Sequence, residues 1–504
     1  MRTRLLQGTA AALILSCSAQ VALADLAPQD VWSDWQNYLT TLGYELNAKE
    51  AISGNSLTVS DLSAVMERPG GEGSVIIGLG TLVFRDNGDG SVSLDMPHVM
   101  PLHVQTKGGE DNIDLQVTVT QSGASMVFTG SPQDITQSYR SGETVVSYSS
   151  LSVNGEPMPA DALRATLALK ELVTTFHSLK DDQNRTYDQS GSMGEMGIDL
   201  FFNDPKNTDE MFYTTSLRNL TFKGQSTIPN AIAAFDYSQM LQKGIGYTGR
   251  IGYSGGSSRL TGKAEDQDFM MTSTSTGGNL ASGMKDGKLS YDVSQTDTEI
   301  MLQTNDLPFP IALASKEVGF KLDIPLLKSD ADQSFAFGLT LADFTMPEEL
   351  WGIFDPSKVL PRDPATAMLD LTGTVKVLAN IFDPNYAESL DTPAELTGLT
   401  IKDLQLSAAG TSLTGKGDFT FDNSDTTTFD GMPAPDGAAD IQLVGGNGLV
   451  DKLIEMGLIS DQDAMGARMM MGMLGTPGEG DDTLNSHIEV KPSGQIFANG
   501  QRLK

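Results

Sequence analysis

Apolar and polar residues alternate along most of this chain. Asp114-Leu115-Gln116-Val117-Thr118-Val119-Thr120 places its apolar side chains on one face of an extended segment. Leu369, Leu371, Val375 and Val377 alternate with Asp370, Thr372, Thr374 and Lys376. Asp403-Leu404-Gln405-Leu406-Ser407 and Asp418-Phe419-Thr420-Phe421-Asp422 repeat the pattern. A period of two with one wet face predicts antiparallel strands, because strands of parallel sheets are covered on both faces and read as continuous apolar runs. Between Ser334 and Leu341, Phe335, Phe337, Leu339 and Leu341 share one face and small Ala336, Gly338 and Thr340 lie opposite. That strand is expected to be covered on both sides.

Turn signals separate these runs. Asp86-Asn87-Gly88-Asp89-Gly90 stands between Leu82-Val83-Phe84 and Val92-Ser93-Leu94, and Asn154-Gly155, Pro435-Asp436-Gly437 and Pro492-Ser493-Gly494 mark further reversals. Helical spacing is confined to short stretches. Pro28 to Leu42 carries Val31, Trp35, Tyr38, Leu39 and Leu42 before Gly43, and Asn230 to Lys243 repeats the design before Gly244. Pro347 to Phe354 predicts a short helix bearing Trp351, and Leu449 to Leu458 with Asp461 to Leu474 predicts a helical pair. Asp161 to Leu179 fits either state and is assigned to strand after Thr166.

The expected fold is mainly β: antiparallel meanders forming curved, half-buried sheets in two halves, with a few short helices capping the ends. The candidate helices at Pro28 and Asn230 each precede a glycine and a run of strands. The halves are therefore placed at residues 25–228 and 229–504, the second ending in the helical pair and a hairpin.

The first 24 residues read differently. Arg2 and Arg4 precede Leu5 to Ser16, an uncharged, mostly apolar stretch too short to span a bilayer, and Ala22-Leu23-Ala24 supplies a small-x-small cleavage pattern. Removal of a signal peptide between Ala24 and Asp25 is expected, which predicts a periplasmic protein. A competing reading takes Leu15-Ser16-Cys17 as a lipoprotein box, with a lipid on Cys17. Cleavage at Ala24 leaves no cysteine, which removes disulfides, thiolate catalysis and zinc–thiolate sites. No later segment reaches the run of about 20 apolar residues that a membrane helix needs.

Charge narrows the partners. The 33 Lys+Arg stand against 65 Asp+Glu, a net −32, and the cations do not cluster in sequence. This argues against nucleic acid and against electrostatic docking on anionic head groups. Contact with lipid would have to be apolar.

Motifs that carry chemistry are few. Gly252-Tyr253-Ser254-Gly255-Gly256 fits Gly-x-Ser-x-Gly, but a nucleophile elbow needs a helix after the serine, and Ser257 to Gly262 reads as strand and turn. Of the four histidines, His98 and His103 could pair with Asp95 around a metal. Five residues apart in an extended segment, they point to opposite faces unless Pro101 turns the chain. Neither His177 nor His487 has a triad-like setting. Asp86 to Gly90 and Asp422-Asn423-Ser424-Asp425 resemble pieces of calcium loops without the ligand register or distal glutamate, so acidic turns are the simpler reading. Gly445-Gly446-Asn447-Gly448 leads from strand to helix, but Asp451 replaces the third glycine of a dinucleotide loop and no Lys-Ser/Thr follows. No catalytic residue, cofactor or metal site is expected, and no enzymatic activity.

Five methionines crowd the last helix, Met465, Met469, Met470, Met471 and Met473, behind a capping box of Ser460 and Asp463. At about 100° per residue, Met465, Met469, Met470 and Met473 share one half of the helix with Gly466 and Leu474, whereas Met471 lies opposite beside Arg468. The simplest expectation is that this face covers a β layer. The functional alternative is an adaptable apolar surface for an acyl chain or a partner peptide, since thioethers repack readily. A copper-binding array of Met469, Met471 and Met473 would have no His or Cys close by.

Several longer stretches carry a family resemblance: Thr304-Asn305-Asp306-Leu307-Pro308-Phe309-Pro310, Leu350-Trp351-Gly352-Ile353-Phe354-Asp355-Pro356, Leu360-Pro361-Arg362-Asp363-Pro364-Ala365-Thr366, Leu413-Thr414-Gly415-Lys416-Gly417, and the ending Ile496-Phe497-Ala498-Asn499-Gly500. With Val31-Trp32-Ser33-Asp34-Trp35-Gln36, they make nearly the whole mature chain resemble an exported alphaproteobacterial family known as domain of unknown function 2125. That resemblance implies a Gram-negative, periplasm-facing protein with no assigned reaction and no catalytic residues to carry over. The ending also resembles AsmA-like envelope proteins over roughly the last 100 residues. This implies a long curved β layer with an apolar inner surface, linked to envelope lipid handling. The expected function is a non-catalytic periplasmic envelope protein engaging lipid or another hydrophobic ligand through an apolar β surface. An envelope interaction or scaffold protein is the alternative, and an exported hydrolase is the third class.

Overall fold

The computed structural model describes residues 25–67, 73–108, 111–230, 241–264, 267–380 and 393–504. The signal segment through Ala24 and most of the helix expected from Asn230 lie outside the described residues. Helix α1 (Pro28–Thr41) opens the fold, with the Asp30 carboxylate accepting from the Ala27 N–H and Gly43, at φ 90°, turning the chain out. Strands β1 (Glu45–Ser53), β2 (Ser56–Glu67), β3 (Ser74–Asp86), β4 (Val92–Leu94), β5 (Val99–Lys107), β6 (Ile113–Ser122), β7 (Ser125–Ser131) and β8 (Asp134–Val153) follow. Next come β9 (Glu156–Pro157), β10 (Leu163–Lys180), β11 (Asn184–Asn203), β12 (Glu210–Pro229), β13 (Gly246–Tyr253), β14 (Gly256–Ala264), β15 (Gln267–Ser275), β16 (Gly277–Lys285) and β17 (Lys288–Thr304). Then β18 (Ile311–Pro325) and β19 (Gln333–Phe344) lead through helix α2 (Glu348–Phe354) to β20 (Ala365–Val377), β21 (Ala394–Ala408), β22 (Thr411–Asp422) and β23 (Ala434–Val444). Helices α3 (Gly446–Glu455) and α4 (Asp461–Leu474) precede β24 (Thr476–Pro477), β25 (Thr483–Val490), β26 (Ile496–Ala498) and β27 (Gln501–Arg502).

All 27 strands of the described residues belong to one antiparallel sheet in which pairing advances along the chain. The alternation and glycine-rich turns of the sequence account for this, since antiparallel neighbours need only short reversals. One pattern of pairing occurs twice. Strand β3 pairs with both β4 and β5, these pair with β7 and β6, and both of those pair with β8. Strand β12 stands in the same relation to β13 and β14, then to β16 and β15, and finally to β17. Ile228 and Pro229, the junction read from the sequence, end β12 and pair with Arg185 and Asn184 of β11, and the pairing of β12 with β13 reaches Thr227.

A crease crosses the sheet. In β17 the apolar set is Leu289, Tyr291 and Val293 before Asp297, and Ile300 and Leu302 after it. The pairing with β18 skips Asp297, which has φ 45°. Glu171, Asn219 and Asp343 hold similar left-handed positions in β10, β12 and β19. The residue opposite Asp297, Lys316, is skipped as well, so the register of the pair is the same on either side of the crease, and it is the parity of the apolar residues that changes there.

From β17 to β21 one face is apolar. Val293, Phe320, Leu339, Leu369 and Leu404 are successive cross-strand partners, as are Tyr291, Leu322, Phe337, Leu371 and Ile401. The reverse face carries Asp292, Lys321, Gly338, Asp370 and Asp403 in the same register. Among the described residues, helices cover the apolar face only near its ends. At one end Val31 and Trp32 of α1 are buried with Leu57, Val59, Phe84, Val92 and Phe128. Trp35 meets Phe84 edge-on at 5.7 Å. At the other end Leu449 of α3 lines a recess with Leu341, Leu406 and Leu413. The strand from Ser334 to Leu341 is therefore not covered on both sides as its composition suggested: Leu339 remains 44% exposed, with no second layer of the described residues over it. The chain exposes 29320 Å², where a compact protein of 53.7 kDa exposes roughly 18,000 Å².

Candidate ligand surface

Between the two helical ends, large apolar side chains stand open on the sheet. Tyr247, Ile251, Leu280, Tyr291, Val318 and Leu339 are 36–44% exposed although all six lie in strand interiors. A sheet normally buries such a face against another layer, and soluble monomers rarely expose contiguous apolar patches beyond a few hundred Å².

The centre of this face is grooved. Phe222, Ile251, Leu280 and Val293 form one cross-strand row, and Ser226, Tyr247, Met284 and Leu289 form a second. Between them runs a row of Gln189, Gly224, Gly249 and Ser282, ended by Tyr291. The groove holds about 380 Å³ and is also lined by Phe176 and Tyr187. Tyr187 closes the α1 end, its ring 5.0 Å from Tyr38 and 5.1 Å from Phe176. Burial pushes the Tyr187 hydroxyl above its ordinary range, against the opposing charge of Arg185, and the hydroxyl has no hydrogen-bond partner. Arg185 pairs with Asp34 of α1, whose carboxyl is raised by burial in spite of that cation.

A larger recess, about 850 Å³, lies on the reverse face among Thr175, His177, Lys223, Arg250, Asp292 and Lys321. Its mixed charges are well solvated where they stand. The apolar face is the one that water disfavours, so it is the stronger candidate for a ligand.

The methionine face of the last helix does not cover a β layer, which was the simplest expectation from the sequence. Met465, Met469, Met470 and Met473 are 48–70% exposed and cover no strand. Met471 faces inward instead: its Sδ lies 3.1 Å from where a Cβ on Gly446 would stand. Ala464, at 1% exposure, shares that inner side, and Arg468 reaches Asp451 of α3. The small residues let α4 approach α3 closely, which leaves the bulky methionines outside. The capping box of Ser460 and Asp463 is formed, with the Asp463 N–H donating to the Ser460 hydroxyl at 3.2 Å.

The remaining motifs take ordinary structural roles. Ser254 stands in the turn from β13 to β14, with strand on both sides and no helix after it, and its Oγ accepts from Asn219 at 2.9 Å. His98 donates to the Gln121 carbonyl at 2.6 Å, and His103 meets Asp114 at 2.9 Å. His177 meets Asp134 and His487 meets Asp440, both at 2.7 Å. The Asp440 hydrogen bond raises the His487 imidazole. Among the described residues no three His, Cys, Asp or Glu side chains form a group able to hold a metal.

The acidic turns bind their own backbone. Asp86 accepts from the Gly88 N–H at 2.8 Å, and Asp89 and Asp422 accept from Ser91 and Ser424. Hydrogen bonds from the Thr428 hydroxyl and the N–H groups of Thr428 and Thr427 hold Asp425 at about 2. The glycine-rich start of α3 is occupied as well: Asp482 accepts from the N–H groups of Asn447 and Gly448 at 3.1 and 2.9 Å, where a phosphate would otherwise bind. Nothing in the local sequence identifies Asp482, which lies 34 residues from Gly448.

No helix of the described residues is long and apolar enough to cross a membrane. No curated protein and no solved structure matches the chain. The family match is narrower than the sequence resemblance, excluding α1 and every strand before β14: residues 254–493 match the family described as an uncharacterized protein conserved in bacteria (DUF2125).

Proposed function

We propose that this protein is a non-catalytic, exported protein of the periplasm that binds lipid or another hydrophobic ligand on the uncovered apolar face of its sheet. The observation that carries this reading is the face between α1 and the α3–α4 pair, where Tyr247, Ile251, Leu280, Tyr291 and Leu339 are exposed and have no second layer among the described residues. Closed ends and an open middle suit a ligand that lies along the sheet. The leader ending at Ala24, and the likeness of the last strands and helices to AsmA-like envelope proteins, support the location and the class of ligand. The net charge of −32 makes apolar contact the means of holding it. The test is mass spectrometry of small molecules that copurify from envelope extracts, with titration of an acyl-chain probe. Copurified lipid and saturable probe binding are expected, and neither being found would overturn the reading. Intact mass of the exported chain distinguishes a start at Asp25 from lipid on Cys17.

A second reading, an envelope interaction or scaffold protein, is favoured by the four exposed methionines of α4, which form an apolar helix surface. Cross-linking in intact periplasm tests it: a stoichiometric partner attached through α4 is expected on this reading and not on the first.

A further inference from the structure

We infer that Gly224 and Gly249 form the floor of a slot for a single unbranched alkyl chain, an inference that rests on the proposed function and names where and what the sheet binds. The two glycines are direct cross-strand partners in the interiors of β12 and β13. Neither has a positive φ, so the backbone does not require glycine at either position. Neither is required by packing. A Cβ on Gly249 would meet nothing closer than the Lys223 carbonyl oxygen at 4.0 Å, and one on Gly224 would meet the Thr248 carbonyl oxygen at 3.4 Å.

Four other strand glycines differ. A Cβ on Gly191 would lie 2.4 Å from the Phe222 ring, on Gly278 2.6 Å from Tyr253, on Gly262 2.7 Å from Phe269 and on Gly373 2.5 Å from Phe335. In those places an aromatic ring fills the space the glycine leaves. Over Gly224 and Gly249 no ring of the described residues stands within 4 Å. A glycine in a strand weakens the sheet and marks a close approach when nothing of the chain itself fills its place.

The dimensions and chemistry select the occupant. The slot is one side-chain row wide, bounded by Phe222, Ile251 and Leu280 on one side and Tyr247 and Met284 on the other. It crosses β11, β12, β13 and β16, three strand spacings or about 14 Å, and ends at Tyr291. Over Gly224 and Gly249 the floor offers no hydrogen bond, because the N–H and C=O groups there are committed to the ladder on both sides, and the polar side chains of the row, Gln189 and Ser282, stand at its two ends. A peptide strand or a sugar would therefore find no partner along the middle of the slot, and a fused-ring lipid is too broad. A straight alkyl chain needs only apolar contact.

The experiment titrates a straight-chain fluorescent fatty acid into the protein and into Gly224→Val and Gly249→Val. A photoreactive analogue of the same probe is cross-linked in parallel and mapped by peptide mass spectrometry. Gly197→Val, in β11 opposite Ser216 and outside the slot, with its nearest contact at 3.8 Å, is the control. Each slot variant is expected to weaken binding by roughly tenfold, the effect of displacing about two methylenes. Gly197→Val is expected to leave binding unchanged, and label is expected on the peptides carrying Phe222 to Ser226 or Tyr247 to Ile251. Unchanged binding in both slot variants, or label confined to other segments, overturns the slot while leaving the apolar face as the ligand surface. A wild-type protein that binds no alkyl probe overturns both.

Discussion

Trp35 meets Phe128 edge-on, with ring centroids 5.8 Å apart, and so ties α1 to a strand that follows it by almost a hundred residues. The neighbouring Trp32 is 2% exposed, and its indole N–H donates to Glu50 at 2.7 Å. This is the one large buried cluster among the described residues, so its loss cannot be spread over a wider core. Trp32→Ala is expected to destabilise by about 3–5 kcal/mol in denaturant unfolding followed by circular dichroism. It should also raise the binding of an apolar dye under native conditions, because α1 covers one end of the apolar face.

Helix α4 offers a sharper contrast between neighbours. Met471 packs toward Gly446, whereas Met469 is 70% exposed. Met471→Ala is expected to cost about 1–2 kcal/mol, and Met469→Ala to fall within about 0.5 kcal/mol of wild type. Urea midpoints of the two variants check the order, and equal costs would contradict the orientation of the helix.

That helix also shows where the sequence could be read and where it could not. Its limits were legible, because Ser460 with Asp463 is a capping signal that acts locally. Its inner face was not, because hydrophobicity ranks Met above Ala while close helix packing rewards the smaller residue: Ala464 is buried and Met469 is not. Strands such as Ile113–Ser122 and Ala365–Val377 were legible because alternation is fixed by the pleat. The switch of apolar parity at Asp297 was also present in the sequence, as Val293 gives way to Ile300, and it marks the crease. The groove was hidden. Gly224 and Gly249 read as weak strand residues until their direct pairing, and the lack of any ring above them, are seen.

If Gly249 is kept for space, it is kept against stability. Valine suits a strand interior better by up to about 1 kcal/mol, and a Cβ there meets no close contact. Gly249→Val is therefore expected to raise the thermal midpoint. A lower midpoint would show that the glycine serves the fold itself.

Asp482 caps α3 from a distance. Burial raises its carboxyl, and the N–H groups of Gly448 and Asn447 with the Asn447 side chain outweigh that and bring it below the ordinary range. Asp482→Ala leaves these donors without an acceptor and is expected to cost about 0.5–2 kcal/mol. Backbone hydrogen exchange localises the effect: the first turn of α3 should lose protection while β12 and β13 keep theirs.

The carboxylates of the acidic turns set the response to acid. Asp425 has its pKa at about 2 in the folded chain against an ordinary 3.8, since Thr428 and Thr427 donate to the charged form. A carboxyl depressed by folding contributes stability that is fully present well above 3.8 and is lost as pH falls from there toward about 2, because the unfolded chain takes up the proton first. Asp422 is lowered as well, by the Ser424 hydroxyl and N–H, so the turn between β22 and β23 weakens as a unit. In Asp425→Asn the pH-dependent part of this contribution is absent. The gap in urea midpoint between wild type and variant should be constant near neutral pH and should close as the solution is taken from pH 3.8 toward about 2. A gap that stays constant through that range would show that the folded carboxyl is not held down by its threonine donors.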